Sequence, residues 1–172
     1  DNMLMTSNKS IGEEVKKVFE LFDDLLSPVS FKLIHVSPFT TRKFIEKQFN
    51  KLIKAAKNNK KAECIIKLNS LTDKQIINKL YKASQAGVKI QLIVRGICVL
   101  IPGINGLSDN ISAISIVDRF LEHARILYFN IDENEEYYIS SADWMQRNLD
   151  NRIEVTCPVF DVKLQKLIKK QL

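Results

Sequence analysis

Between residues 31 and 94, short apolar runs alternate with amphipathic segments, and this alternation constrains the fold more than any other feature of the chain. The apolar runs are 31–36, 63–68 and 88–94, and the segments between them carry apolar residues at helical spacing. Strand, helix, strand, helix, strand with short connections predicts parallel strands joined by right-handed crossovers. We therefore expect an α/β fold in which helices cover a sheet.

The second half of the chain has a different pattern. Four more strand-like runs, at 111–117, 125–129, 137–141 and 153–157, are separated by brief connections. Short strands with tight connections extend a sheet without intervening helices. The fold class expected is therefore α/β, with one mixed β-sheet flanked by helices.

Local signals mark the predicted helix ends. The first helix should end at Ser27 and Pro28 and bury four apolar residues: Val15, Val18, Phe19 and Phe22. The second should begin at Thr40 or Thr41, and the third at Asp73, because such side chains cap helix N-termini. Gly87 suits a left-handed turn after the third helix. Asp161 should cap a last helix with three residues facing inward: Leu164, Leu167 and Ile168.

Positive charge is concentrated in one segment. The chain has 26 basic and 20 acidic residues, a net charge of +6, whereas residues 42–61 hold one acid, Glu46, and eight basic residues: Arg42, Lys43, Lys47, Lys51, Lys54, Lys57, Lys60 and Lys61. Such a helix would attract a polyanion. We interpret its lysine face as a solvated outer surface, and expect Arg42, nearest the strand ends, to contribute most to polyanion binding.

Several protein classes are excluded or disfavoured. The longest mainly apolar stretch, residues 97–104, contains Pro102 and Gly103 and is far shorter than the ~20 residues of a membrane-spanning helix. No secretory signal pattern is present. Three widely spaced cysteines favour a reduced, cytoplasmic location and provide no Cys-x-x-Cys pair. The tyrosines and the tryptophan are not interleaved with the lysine cluster at 42–61, so no nucleic-acid partner is expected.

Candidate site residues lie where strands meet loops. Ligands of open α/β sheets bind beyond the carboxyl ends of the strands. Arg95 ends the apolar run 88–94, and Gly96 would permit a turn or a close backbone approach. His123 and Arg125 precede and begin another run and should face the same side. Further polar residues that could converge with them are Ser141 and Glu154.

The longest recognisable motifs identify a family resemblance. The strings are VSPF (36–39), KLNSLTD (67–73), LYKASQAGVKIQLIVRGICVL (80–100), IPGINGLSDNI (101–111), SIVDRFLEHARILYF (115–129) and YYISSADWMQRNLDNRIEV (137–155). They resemble the C-terminal domain of bacterial polyphosphate kinases, which make polyphosphate from ATP. The resemblance implies a phospholipase-D-like catalytic domain at 31–172, preceded at 1–30 by a helix and a connection from a preceding domain.

The resemblance also implies residue roles. Arg95 and His123 match positions that contribute to the site for ATP and a phosphohistidine, which itself belongs to the preceding domain. The phospholipase D pattern H-x-K-x4-D here reads His123-x-Arg125-x4-Asn130, so the lysine and the carboxylate are replaced. Arg125 would add positive charge, and Mg²⁺ ligands are expected outside this chain. His35 has no matching basic residue and is interpreted as a partly buried strand histidine.

Three functions follow as alternatives. The first is the C-terminal domain of a polyphosphate kinase, inactive alone, whose partners are ATP, polyphosphate and the preceding domains of the same polypeptide, with a possible homo-oligomer in the full-length enzyme. The second is a module that binds a polyanion, either polyphosphate or nucleic acid. The third is a phosphodiesterase of the phospholipase D type, in which a dimer supplies His123 from each subunit. Mass in solution and phosphodiesterase turnover separate the third from the first.

Overall fold

The computed structural model describes residues 1–24, 29–117 and 119–172 and contains four α-helices and seven strands in those ranges. A single π-helical turn, Arg147–Asn151, precedes the last strand. The elements in chain order are α1 (Lys9–Asp23), β1 (His35–Ser37), α2 (Thr41–Lys57), β2 (Ala62–Leu68), α3 (Lys74–Gln85), β3 (Lys89–Val94), β4 (Ile111–Ile114), β5 (Arg125–Ile131), β6 (Asn134–Ser140), β7 (Glu154–Pro158) and α4 (Val162–Lys169).

All seven strands form one mixed sheet in the order β1-β7-β6-β5-β2-β3-β4. Strands β2, β3 and β4 are parallel neighbours, and every other pair is antiparallel. The predicted α/β class with a mixed, helix-flanked sheet is confirmed. β1 and β2 run in the same direction, as predicted, but they are not neighbours, because β1 lies at the far edge, beside β7.

Helices cover both faces of the sheet. Alternate strand residues point to opposite faces, so Leu127 and Phe129 of β5 pack in the main core with α2 and α3, and Ile126 and Tyr128 pack with Ile168 of α4. Helix α1 covers Ile34 and Val36 at the β1 edge. The sheet is therefore the central layer, and residues that are adjacent in a strand reach different environments.

The first strand is shorter than predicted. Residues 31–34 are not part of β1, because a carboxylate from α1 binds their backbone. Glu14, whose side chain is buried, accepts hydrogen bonds from the backbone N–H groups of Lys32, Leu33 and Ile34 at 2.6, 2.9 and 2.9 Å. These groups have obligatory hydrogen-bonding requirements, and Glu14 meets them in place of a neighbouring strand. The run 111–117 is also shorter, ending at Ile114.

The buried faces of the first and last helices differ from prediction. Of the four residues predicted to face inward in α1, only Val18 is buried, while Val15, Phe19 and Phe22 are 37%, 66% and 65% exposed. In α4, Ile168 is buried, whereas Leu164 and Leu167 are exposed. The predicted end of the first helix, at Ser27 and Pro28, lies outside the described residues. No helix in the described ranges is both long and apolar enough to cross a bilayer.

The remaining end signals act mostly as predicted. Asp73 accepts a hydrogen bond from the Ile76 N–H and caps α3, and Asp161 caps α4 in the same way. Gly87 has a φ of 93°, a left-handed conformation that favours glycine. Thr40 occupies the N-cap position of α2, but its hydroxyl accepts a hydrogen bond from the Val36 N–H instead of one from a helix N–H.

Candidate functional site

One edge of the sheet collects the predicted site residues. From the strand pairings, β1, β2, β3, β4 and β6 run in one direction and β5 and β7 in the other. The carboxyl ends of the first group therefore meet the amino ends of β5 and β7 at the same edge. Arg95 follows β3, Arg125 begins β5, and Ser141 follows β6. The topology thus places these residues together although β1 has an unexpected neighbour.

Asn69, directly after β2, connects Arg95 to His123. The Arg95 Nε donates a hydrogen bond to the Asn69 Oδ1 at 2.8 Å, and the Asn69 Nδ2 donates one to the His123 carbonyl at 3.5 Å. Asn69 is only 4% exposed. Gly96 allows this arrangement, because a Cβ at that position would lie 2.9 Å from the Asn69 carbonyl oxygen. The predicted close approach at Gly96 is therefore to backbone of the same chain.

Asp143, in the loop after β6, orients Arg125. Its carboxylate accepts hydrogen bonds from the Arg125 Nε at 3.1 Å and from a terminal guanidinium nitrogen at 3.2 Å. It also accepts hydrogen bonds from the backbone N–H groups of Asn69 and Ser70. The side chains of Arg125 and Asp143 are 11% and 9% exposed. A buried, two-point pair of this kind fixes the plane of the guanidinium.

The contacts of His123 define its tautomer. A terminal nitrogen of Arg125 lies 3.2 Å from the His123 Nε2. A guanidinium has only donors, so Nε2 must accept this hydrogen bond and the neutral ring carries its proton on Nδ1. Nδ1 lies 2.9 Å from the Asp1 Oδ1 and donates to that carboxylate. The ring therefore receives a hydrogen bond from Arg125 on one side and offers a proton to an anionic oxygen on the other.

The same surroundings shift the protonation equilibrium of His123. Burial lowers the pKa of His123, and the positive charges of Arg125 and Arg95 lower this pKa further, while Asp143 acts in the opposite direction. Burial and like charge both disfavour the protonated ring. The neutral imidazole required by the Arg125 contact is thus also the form that the electrostatics of the site favour near neutrality.

His123 and Arg125 open into a cavity of about 620 Å³ on the α1 side of the sheet. Ile139 and Val155 form part of its apolar wall, Ser140 and Ser141 lie at the strand end, and residues 1–4 form another side. The Ser141 hydroxyl donates a hydrogen bond to Glu154, which also accepts one from Asn148. His123, Arg125 and Ser141 therefore line one cavity, and their roles there stay a prediction.

A buried lysine of β2 also holds the segment before β5 in place. Lys67 of β2 has a side chain that is only 5% exposed, and its ammonium lies 3.3 Å from the Glu122 carboxylate and 3.2 Å from the Gln171 carbonyl oxygen. A buried ammonium requires such partners. Because Glu122 precedes His123 directly, this pair ties the histidine-bearing segment to the centre of the sheet.

Two residues that the sequence singled out lie away from this edge. Asn130 is near the other end of β5, where its side chain is buried and donates a hydrogen bond to Glu63 at 2.8 Å. His35 is partly buried in β1, as predicted, and its ring stacks on Phe44 with centroids 3.8 Å apart.

The expected role of Arg42 in polyanion binding conflicts with its contacts. Its guanidinium donates two hydrogen bonds to Asp150, both at 2.8 Å, and two to Asp73, at 2.9 and 2.8 Å. A further contact joins it to Gln75 at 3.2 Å. The hydrogen bond to Asp73, followed by that to Asp150, raises the pKa of Arg42. Arg42 therefore links α2 to α3 and to the π-helical turn, with little capacity for an added anion.

A metal ion held in a protein needs several grouped donor side chains. Within residues 1–24, 29–117 and 119–172, no three or more His, Cys, Asp or Glu side chains are grouped so that they could hold a metal ion. The described residues thus offer no set of donors that would hold Mg²⁺ by themselves.

Sequence reasoning missed Asn69 and Asp143 as members of the site. Asn69 lies in the first polar stretch after β2, which the strand-end rule indicated only as a region. Asp143 carried no signal of its own beyond its position in the polar stretch 140–144. What distinguishes both is their burial together with hydrogen bonds to arginines, and these are tertiary properties.

Comparison with known proteins adds sequence relatives. The model of the polyphosphate kinase C-terminal domain 2 family matches residues 34–172. A polyphosphate kinase from Vibrio cholerae is 49% identical over 168 residues, which are 98% of this chain and 24% of that protein. A polyphosphate kinase from Escherichia coli K12 is 42% identical over 168 residues, which are again 98% of this chain and 24% of that protein. The chain therefore spans about a quarter of the length of these curated relatives.

Solved structures agree with the sequence relatives. The crystal structure of a polyphosphate kinase from Porphyromonas gingivalis matches with a TM-score of 0.92 and 42% identity, over 96% of this chain and 26% of that chain. Nuc, a phospholipase D family member from Salmonella typhimurium, matches with a TM-score of 0.56 and 14% identity, over 80% of this chain and 88% of that chain. The second match confirms the predicted phospholipase-D-like fold. The family model and the relatives together show that this chain belongs to the polyphosphate kinase C-terminal domain 2 family.

Proposed function

We propose that this chain is the C-terminal catalytic domain of a polyphosphate kinase that reversibly transfers the terminal phosphate of ATP to polyphosphate. The γ-phosphoryl group of ATP passes to a histidine of a preceding domain, with release of ADP. It then passes from the phosphohistidine to the terminal oxygen of a polyphosphate chain, which regenerates the histidine. This chain contributes the binding site for the phosphate groups.

The observation that carries the proposal is the convergence of two guanidinium groups on His123. Arg125 is hydrogen-bonded to the ring itself, and Arg95 is joined to the His123 carbonyl through Asn69. The Nδ1 of His123 is bonded to a carboxylate oxygen, an anion comparable in charge with a phosphate oxygen. At this edge of the sheet, the guanidinium of Arg125 is therefore paired with Asp143, while that of Arg95 has no carboxylate partner among the described residues.

Each residue has a role that follows from its chemistry. The Nε of Arg95 donates a hydrogen bond to Asn69, whereas its two terminal nitrogens have no hydrogen-bond partner among the described residues. These two nitrogens are therefore available for two oxygens of one phosphate. The neutral His123 donates from Nδ1 to a phosphate oxygen. Arg125, held by Asp143, keeps that tautomer in place and adds positive charge. Phosphoryl transfer depends mainly on such positioning and charge neutralisation.

The remaining parts of the reaction are assigned elsewhere in the polypeptide. The proposal places residues 1–30 as a helix and connection from a preceding domain, residues 31–172 as the catalytic domain, and both the phosphorylated histidine and the Mg²⁺ ligands in the preceding part. The partners are ATP, polyphosphate and the preceding domains, and the location is the cytoplasm. Oligomerisation of the full-length enzyme is part of the same proposal.

The proposal is tested in the full-length polypeptide. We expect His123→Ala and Arg95→Ala each to reduce polyphosphate synthesis by ~10² or more, because each removes charge stabilisation at the transferred phosphate. Circular dichroism and thermal unfolding should remain close to those of the unmodified protein. Near-normal turnover of either variant would remove that residue from the site.

A second measurement tests which domain carries the phosphorylated histidine. The 172-residue chain, incubated with γ-labelled ATP and Mg²⁺, should acquire no acid-labile label, whereas the full-length polypeptide should. Stable label on His123 would contradict the assignment of the phosphohistidine to a preceding domain. Phosphodiesterase turnover by a dimer of this chain would favour the alternative of a phospholipase D type enzyme.

A further inference from the structure

A second cavity lies on the opposite face of the sheet from His123. It has a volume of about 410 Å³ and is bounded by β1, β6, β7 and α2. Tyr138 faces this cavity, whereas its neighbour Ile139 lines the cavity of His123. Because adjacent strand residues point to opposite faces, the two cavities are separated by the thickness of the sheet.

The floor of this cavity is aromatic and rigid. The ring of His35 stacks on Phe44 with an interplanar angle of 14°, and the ring of Tyr138 lies 4.8 Å from that of Phe44. Phe44 and Tyr138 are 6% and 9% exposed. Aromatic side chains packed in this way have little freedom to move.

The rim of the cavity is rich in lysine. Its charged residues are four lysines, Lys32, Lys43, Lys47 and Lys51. Three carboxylates lie near these lysines. Glu136 pairs with Lys51 at 3.3 Å, Glu14 accepts hydrogen bonds from the Lys32 and Leu33 N–H groups, and Glu46 lies beside Lys43 and Lys47 on α2. With Lys54 of the same helix included, five lysines and three glutamates leave a net charge of +2. In the part of the chain that the structure describes, Lys43 and Lys47 are exposed and have no ion-pair partner.

The basic rim continues along α2 as a groove. Lys43, Lys47 and Lys51 recur every four residues, so successive ammonium groups start ~6 Å apart along the helix axis. A shallower depression of about 360 Å³ shares these three lysines and extends to Lys54. From Lys43 to Lys54, at 1.5 Å per residue, the row of positive charges is about 17 Å long. A row of this shape matches a linear polyanion better than a compact one.

We propose that this cavity and groove bind a chain of phosphate groups, at a site separate from the edge that holds His123. This replaces the interpretation from sequence that the lysine face of α2 is only a solvated surface, because the structure places a cavity beside these lysines. The choice of a phosphate chain as the ligand rests on the proposed function, because such chains are its substrate and product. Long polyphosphate and the triphosphate of a nucleotide share the relevant chemistry. The available lysines are Lys43 and Lys47, and not Arg42, whose guanidinium is engaged by Asp73 and Asp150.

Lysine footprinting of the full-length polypeptide tests the site directly. Acetylation rates of Lys43 and Lys47 are measured by mass spectrometry with no ligand, with long polyphosphate, with tripolyphosphate and with ATP. We expect at least one phosphate chain to slow acetylation of these two lysines several-fold and to leave Lys82 and Lys89 unchanged. Protection by long polyphosphate alone assigns the site to the polymer, and protection by ATP as well assigns it to any oligophosphate. No protection, or equal protection of all four lysines, overturns the proposal.

Matched double variants separate a local site from net charge. Lys43→Gln/Lys47→Gln and Lys82→Gln/Lys89→Gln each remove two positive charges from exposed side chains. Only the first should weaken polyphosphate binding, by about tenfold, and should reduce the slope of log affinity against log salt by about 1.4, as for two lost phosphate contacts. Equal losses in the two double variants would contradict the proposal.

The footprint is also measured in the His123→Ala background. Protection of Lys43 and Lys47 should persist there, because the two cavities do not share these residues. A loss of protection in that background would show that the phosphate chain reaches α2 only from the catalytic edge and would overturn a separate site. If His123→Ala kept full activity and the protection of Lys43 and Lys47 persisted, only the proposed catalytic role of His123 would be contradicted. The separate site on α2 would stand.

Discussion

The two histidines of this chain lie in two cavities on opposite faces of one sheet, and their surroundings differ. His35 lies in β1 against Phe44, and burial lowers its pKa to about 4. His123 lies at the strand-end edge, and its pKa is lowered by burial together with the charges of Arg125 and Arg95. The first ring is neutral mainly because it is enclosed, whereas the second also lies among fixed cations. A lowered histidine pKa alone therefore does not identify a functional residue.

The largest effect that separates the two cavities should come from Asp143→Ala. The change leaves the buried Arg125 guanidinium without its counter-charge and removes the acceptor for two backbone N–H groups. Breaking a buried ion pair by removing one partner costs about 3 to 5 kcal/mol. We expect a loss of this size in the free energy of unfolding, measured by urea denaturation.

Glu136→Ala is the matched change in the second cavity. Its carboxylate is 32% exposed and its partner Lys51 is 43% exposed, so solvent can replace the lost contacts. We expect it to destabilise the protein by less than half as much as Asp143→Ala does. Equal losses would show that the edge network around His123 is no more tightly organised than the lysine-rimmed cavity.

An intermediate effect should appear in the pH dependence of stability. The pKa of His35 is about 4 in the folded chain, whereas a histidine in the unfolded chain has a pKa of 6.5. Between pH 4 and pH 6.5 the unfolded chain therefore binds more protons than the folded chain. Stability must therefore fall as the pH decreases from about 6.5 to about 4. At about 1.36 kcal/mol per pKa unit, and allowing for partial solvent exposure, the His35 contribution is roughly 2 to 3 kcal/mol.

His35→Leu isolates this contribution. The difference in unfolding free energy between the variant and the unmodified protein should shift in favour of the variant by that amount when the pH is lowered from 7 to 4. His123→Ala is the control, because the His123 side chain is 39% exposed and should contribute less. A pH dependence that is the same with and without His35 would show that other groups produce it.

The smallest effect should be that of Arg42→Gln on polyphosphate binding. The guanidinium already donates to Asp73 and Asp150, so its loss should change the affinity for polyphosphate by less than about twofold. This change is smaller than the loss expected when one phosphate contact is removed. Fluorescence titration with labelled polyphosphate at two salt concentrations measures this affinity. A loss larger than that of Lys43→Gln would restore Arg42 as a polyanion contact and weaken the contrast between α2 and the catalytic edge.

The segments predicted best are those whose signals are local. The β2-α3-β3 unit was predicted to within one residue at most ends, because Asp73 and Gly87 act on their immediate neighbours. The run 31–36 was mispredicted because Glu14, far away in sequence, takes its N–H groups. The exposed faces of α1 and α4 likewise depend on what the sheet places beneath them.

The candidate site shows the same division. Arg95, His123 and Arg125 could be chosen from strand ends and from the family resemblance, since both depend on sequence position. Asn69 and Asp143 could not, because an asparagine or an aspartate in a loop is ordinary until its burial and partners are known. The engagement of Arg42 by two carboxylates, one of them 108 residues away, was equally inaccessible.

The Glu14 carboxylate has a consequence for the open edge of the sheet. β1 is an outermost strand, and the unpaired backbone of an edge strand is a template on which strands of other molecules can add. The residues leading into β1 would offer three such N–H groups, but a helix-borne carboxylate already occupies them. An incoming strand would have to displace a buried charge to bond there. One acidic side chain thus leaves three fewer free N–H groups at this edge of the sheet for another strand to bond.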